Sequence, residues 1–158
     1  MSEAIPISLT VNGRTHRLFV QPWHTLLQVL REQISLTGSK RGCNQGVCGA
    51  CSVMIDGAVM RGCLTLAADA AGREIVTVEG LAVGGALSPV QQALLDHGAV
   101  QCGFCMPGMA VAATALLADN PSPSDAEIRD GLSGNLCRCS GYVKVVEAVR
   151  SASAGGAS

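Results

Sequence analysis

Residues 42–51 read GCNQGVCGAC, with cysteines at 43, 48 and 51 and glycines at 42, 46 and 49. The run keeps neither the two-residue alternation of a strand nor the repeat of a helical face, which predicts an irregular loop. Its surroundings are rich in strand signals. Upstream, Ile5, Ile7, Leu9 and Val11 alternate with polar or small residues, Asn12-Gly13 supplies a turn, and RTHRLFV returns as the second arm of a hairpin. HTLLQVLREQ then predicts a helix, with Thr25 and Gln28 as a capping box and Leu26, Leu27, Leu30 and Ile34 on one face. Downstream, SVMIDGAVMRG predicts a hairpin around Asp56-Gly57, and REIVTVEGL another strand. The cysteine loop therefore belongs to a small β-rich unit spanning residues 1–81.

The texture changes after residue 81. LAVGGAL, residues 81–87, supplies a linker over 82–87, and the signals beyond it are helical. Ser88, Pro89 and Gln91 give a cap, a first-turn proline and a capping box, and Gly98 closes that helix. Pro107 opens PGMAVAATALLADN, Ser124 with Glu127 forms another capping box, and SGYVKVVEAVRSA places Tyr142, Val146 and Val149 on one face. The expected fold class is α+β: the β-rich domain, then an all-α four-helix domain over 88–150. The small polar tail, 151–158, is expected to be disordered.

The chain has 158 residues, 48% hydrophobic and 15% charged, with a net charge of −1. That composition supports a packed core and argues against a disordered chain or a nucleic-acid partner. No apolar run approaches the ~20 residues that span a bilayer. MSEAIPISLTVNGRTHR has no basic segment leading into an apolar one and no twin-arginine pair. A cytoplasmic location is expected, where thiols stay reduced and clustered cysteines bind metal more often than they pair.

The eight cysteines sort into two fours. Cys43, Cys48 and Cys51 have the spacing C-x4-C-x2-C, with Cys63 beyond eleven intervening residues. This is the plant-type [2Fe–2S] pattern. Gly42, Gly46 and Gly49 are expected at positive φ, turning backbone N–H groups toward the sulfurs. The second four are Cys102 and Cys105 in QCGFC, and Cys137 and Cys139 in NLCRCSGY. Cys137 and Cys139, one residue apart, suit a shared metal centre better than a strained disulfide. Cys105 precedes the helix opened by Pro107, and Cys139 precedes one expected to open near Ser140. Both pairs would then meet the partially positive ends of helices, where an anionic cluster is stabilised, and Arg138 adds to that effect. Spacing alone leaves zinc open for the second four, whereas the x4/x2 pattern of the first departs from the paired units of structural zinc sites. His16, His24 and His97 are scattered, and Met54, Met60, Met106 and Met109 read as packing residues. Lys40 and Arg41 read as a solvated charge pair. No Ser/His/Asp arrangement, Walker loop or dinucleotide-binding glycine motif is found.

Together GCNQGVCGACSVMIDG, QCGFCMPGM, NPSP…EIR and GNLCRCSGY resemble the small iron–sulfur subunit of the xanthine dehydrogenase/aldehyde oxidase family of molybdenum hydroxylases. The resemblance covers about residues 5–150. It implies a β-grasp, ferredoxin-like N-terminal domain holding one [2Fe–2S] cluster on Cys43, Cys48, Cys51 and Cys63. It further implies a second [2Fe–2S] cluster in the helical domain on Cys102, Cys105, Cys137 and Cys139. Gln101 would hydrogen-bond the pterin, and Cys139 would be the ligand nearest its amino group. The implied partners are a large molybdopterin (Mo) subunit and a medium FAD subunit, assembled as a dimer of heterotrimers, and the apolar helices are expected to offer them a large interface. Met106 and Ser140 stand where Thr is usual, a departure bearing on redox tuning and not on ligation. An electron-transfer subunit is the reading that follows. A free-standing ferredoxin and a zinc-stabilised interaction module are its alternatives.

Overall fold

Asn12 and Gly13, at φ 51° and 73°, make a two-residue turn whose left-handed geometry matches the twist of the strands it joins. The computed structural model describes residues 3–153. Strand β1 (Ile5–Val11) runs into β2 (Arg14–Val20), helix α1 (Leu26–Glu32) follows, and β3 (Ser52–Ile55) and β4 (Ala58–Arg61) form a second hairpin about Asp56 and Gly57. Strand β5 (Glu74–Val76) completes a five-stranded sheet of order β2-β1-β5-β3-β4. It runs parallel to β1, with Ile75 beside Val11, and antiparallel to β3, with Ile75 beside Ile55. Four helices come after the sheet: α2 (Pro89–Asp96), α3 (Met106–Asp119), α4 (Asp125–Gly131) and α5 (Val143–Ala152). The architecture is mixed α+β.

Two cores result. Leu9, Val11, Val53, Ile55 and Ile75 on the sheet meet Leu26, Val29 and Leu30 of α1. Leu27 points the other way, onto Cys51 and Cys63. The second core surrounds α3, whose Met109, Val111 and Ala113 pack with Val90 and Leu94 of α2, Ile128 of α4 and Val145 and Val149 of α5. Met54, Val76 and Val78 also pack against it, joining the back of the sheet to the helices.

Several sequence expectations shift. Thr25 accepts from Gln28 N–H at 3.2 Å, but the Gln28 side chain turns to Glu32, so this capping box is half made. Those at Ser88/Gln91 and Ser124/Glu127 are complete. The strand expected in REIVTVEGL ends at Val76, and a 3-10 turn takes Val78–Leu81 because Thr77 is held by the Asn12 side chain. The last helix opens at Val143, not near Ser140, since Gly141 and Tyr142 lie at φ 63° and 68°. It runs on to Ala152, past the expected limit at 150, and residues 154–158 of the expected tail lie outside the described residues. Met60, expected to pack, is exposed. The apolar face of α3 is spent on the chain's own core instead of being offered to partners.

Candidate metal centres

The first four thiols gather where the loop after α1 meets β3 and the end of β4. Gln45 and Cys48 each donate a backbone N–H to Cys43 Sγ at 3.3 Å, and Cys43 N–H donates to Cys48 Sγ at 3.4 Å. The Cys48 and Gln45 N–H groups hold the Cys43 thiol down to about 6. Gly46 and Gly49 take the expected positive φ, 77° and 72°. Gly42 does not. Its requirement is space, because a Cβ there would lie 2.8 Å from Cys48 Sγ. Asn44 supplies a further left-handed residue, at φ 56°. Cys51 and Cys63 lie beneath, buried against Leu27, and burial foremost pushes Cys51 up to about 11.

The second four come from two loops. Cys105 caps α3 from its N-terminal side, and Cys102 is exposed three residues earlier, beside exposed Gln101. Cys139 Sγ lies 3.5 Å from Cys102 Sγ. Cys137 receives the Ser140 N–H at 3.4 Å and its hydroxyl at 3.2 Å, while Cys137 N–H donates to Tyr142 Oη at 2.8 Å. Burial is the largest single influence on Cys137 and raises it, but the Ser140 donors, the Cys139 N–H and Cys105 together bring the thiol down to about 7. Burial pushes Cys105, which neighbours Cys137, up to about 12. Cys139 is raised chiefly by its hydrogen bond with Cys102. Of this set only Cys105 sits at a helix N-terminus. The loop carrying Cys137 and Cys139 reaches its sulfurs with Ser140 instead.

The thiols therefore meet in pairs: Cys43 with Cys48, Cys51 with Cys63, Cys105 with Cys137, and Cys102 with Cys139. Two pairs per site suit two irons with two thiolates each, and backbone N–H groups aimed at sulfur suit an anionic cluster. The donor set fits [2Fe–2S] clusters. Among the described residues, no three His, Cys, Asp or Glu side chains gather closely enough to hold a single ion.

Sequence reading missed the polar seam between the sites. Arg61 donates to Ser52 Oγ at 2.6 Å, to the Gly134 carbonyl at 2.6 Å and to the Gly46 carbonyl at 3.4 Å. Buried Asn135 donates to the Gly49 carbonyl at 3.0 Å and to Ser52 Oγ at 3.2 Å. Leu136 N–H donates to the Cys48 carbonyl at 2.9 Å. Arg61 and Asn135 each stand two residues before a cysteine, the one signal that could have marked them.

Comparison with known proteins matches residues 9–81 to a family described as "2Fe-2S iron-sulfur cluster binding domain" and residues 77–150 to one described as "[2Fe-2S] binding domain". The chain is 53% identical over 148 residues to the nicotine 6-hydroxylase small subunit of Paenarthrobacter nicotinovorans, covering 94% of this chain and 89% of that one. It is 52% identical to the xanthine dehydrogenase iron-sulfur-binding subunit of Escherichia coli, covering 94% of each. A chain in the crystal structure of quinoline 2-oxidoreductase from Pseudomonas putida 86 superposes with a TM-score of 0.92 at 50% identity, covering 94% of this chain and 92% of that one.

Proposed function

This chain belongs to the small iron–sulfur subunits of the xanthine dehydrogenase/aldehyde oxidase family of molybdenum hydroxylases, and from that premise we propose that it conducts electrons between partner subunits. The route runs from a molybdopterin centre on a large partner, through two [2Fe–2S] clusters, toward FAD on a medium partner. In this reading Cys43, Cys48, Cys51 and Cys63 hold one cluster in a β-grasp domain, residues 1–81. A linker over 82–87 leads to a four-helix domain, residues 88–150, that holds the other on Cys102, Cys105, Cys137 and Cys139.

When bound, each cluster supplies reversible one-electron chemistry. The chain's own residues hold it and set its surroundings. Four thiolates per site would complete the coordination of two irons and leave no position for substrate, so substrate chemistry falls to the large partner. The N–H groups of Gln45, Cys48 and Ser140 and the Ser140 hydroxyl place positive charge density on ligand sulfurs, favouring the extra electron. Gln101 and the exposed pair Cys102 and Cys139 lie at the surface of the second site, which suits Gln101 as a hydrogen-bond partner of the pterin and Cys139 as the ligand nearest its amino group. Exposed Val47 and Leu64 at the first site, and Phe104 and Leu136 at the second, are apolar surface of the kind partner subunits cover. A cytoplasmic dimer of heterotrimers completes the reading.

The observation that supports it is the meeting of the eight thiols in four pairs, Cys43 with Cys48, Cys51 with Cys63, Cys105 with Cys137 and Cys102 with Cys139, on loops that the Arg61 and Asn135 seam joins. A free-standing ferredoxin would have no use for the second site. Iron analysis with low-temperature EPR of the reduced complex tests the proposal. Four irons per chain and two S = 1/2 signals are expected, with Cys139→Ala losing one signal and turnover. Two irons and one signal in the native complex would overturn it.

A further inference from the structure

The Arg61 guanidinium is half-buried, and among the described residues it forms no ion pair with a carboxylate. Its donors go instead to three separate segments: Gly46 in the first sulfur loop, Ser52 at the start of β3, and Gly134 just before Cys137. Ser52 Oγ also donates to the Gly49 carbonyl at 2.7 Å and receives Asn135 Nδ2, which itself reaches Gly49. The network thus closes on itself across the seam. Glycines make room for it. A Cβ at Gly134 would fall on Arg61 Nη2, and one at Gly49 would fall on the Gly134 carbonyl and lie 2.7 Å from Asn135 Nδ2.

We propose that Arg61 is the positioning residue that fixes the two sulfur loops at one separation and orientation, and thereby sets the magnetic and electronic coupling of the clusters they hold. The inference rests on the two-cluster reading above. A planar fork that bonds three acceptors at once defines a geometry, whereas a lysine ammonium is a compact charge on a flexible stem. Placing the cation here, with no carboxylate to neutralise it, also leaves its charge available to the anionic clusters that the two loops would hold.

The test is EPR of the fully reduced, assembled complex, comparing the native protein with Arg61→Lys and Ser52→Ala. In the native complex two neighbouring paramagnetic clusters should split each other's signals. Arg61→Lys is expected to keep four irons and both signals but to narrow or smear that splitting. Ser52→Ala, which removes one anchor and leaves the cation, should give a smaller change of the same kind. Native splitting in an iron-replete Arg61→Lys complex would overturn the proposal. So would loss of iron from Arg61→Lys combined with unchanged splitting in Ser52→Ala, since Arg61 would then serve folding alone. A native complex with a single signal would instead sink the two-cluster reading itself.

Discussion

The N–H of Leu136 donates to the carbonyl of Cys48 across 2.9 Å, so a neighbour of Cys137 is bonded directly to a cysteine of the other sulfur set. The Leu136 side chain is half exposed, yet its amide is committed to a contact between loops. The two sites are therefore parts of one hydrogen-bonded surface.

Amide hydrogen exchange of the iron-loaded protein should find Leu136 N–H protected despite its place in a loop. Opening this bond requires the Arg61 and Asn135 contacts beside it to part as well. Exchange as fast as at an exposed loop amide would show that the two loops separate freely.

Gly108, in the first turn of α3, faces the Gly49 carbonyl, and a Cβ there would fall on that oxygen and lie 2.9 Å from Asn135 Nδ2. Gly108→Ala should cost ~1–3 kcal/mol by overpacking the seam and should lower the iron content. Gly98→Ala is the control, because at φ +62° it meets only open space. It should cost roughly 1–2 kcal/mol through its left-handed backbone and leave iron unchanged. Unfolding curves and iron analysis of both variants decide the matter.

Ser140 donates its hydroxyl to Cys137 Sγ at 3.2 Å. In the proposed reading Cys137 is a cluster ligand, and a hydrogen bond to a ligand sulfur favours the more negative, reduced state. Ser140→Ala should therefore lower the reduction potential of the second cluster by the equivalent of about one hydrogen bond, on the order of 1 kcal/mol. Ser140→Thr keeps the hydroxyl and should restore the potential. An EPR-monitored redox titration in which Ser140→Ala titrates like the native protein would remove this role from Ser140.

Chelation of iron under reducing conditions should spare the sheet and helices but loosen the sulfur loops. The sheet core contains no cysteine, and the helical core contains only Cys105 among its buried members. Far-UV circular dichroism is expected to change little, while proteolysis should begin in the loops around residues 42–51 and 133–141. A cooperative loss of all secondary structure on chelation would mean that the cores depend on the metal.

Much of this was legible because its causes are local. The turns at Asn12-Gly13 and Asp56-Gly57 announce their left-handed residues, and Ser88/Gln91 and Ser124/Glu127 cap their helices as the sequence predicts. The spacing of the eight cysteines divides them into two fours in the sequence itself. What escaped depends on distant partners. Arg61 meets Gly134 across 73 positions and Asn135 meets Gly49 across 86, and no periodic pattern records such contacts. The expected helix at Ser140 failed for a related reason. Tyr142 is pulled into a left-handed conformation while its hydroxyl accepts from Cys137 N–H, a demand that a capping pattern does not express.

Strand β5 sits in the middle of the sheet, although it is the last of the five in the chain. During translation the hairpins β1–β2 and β3–β4 emerge first, each with an edge that has nothing to pair with until Glu74–Val76 leaves the ribosome. Only then does Ile75 bridge Val11 and Ile55. The sheet that carries Cys51 and Cys63 is thus completed late in synthesis, and its nascent halves present open edges that a chaperone could shield until that strand arrives.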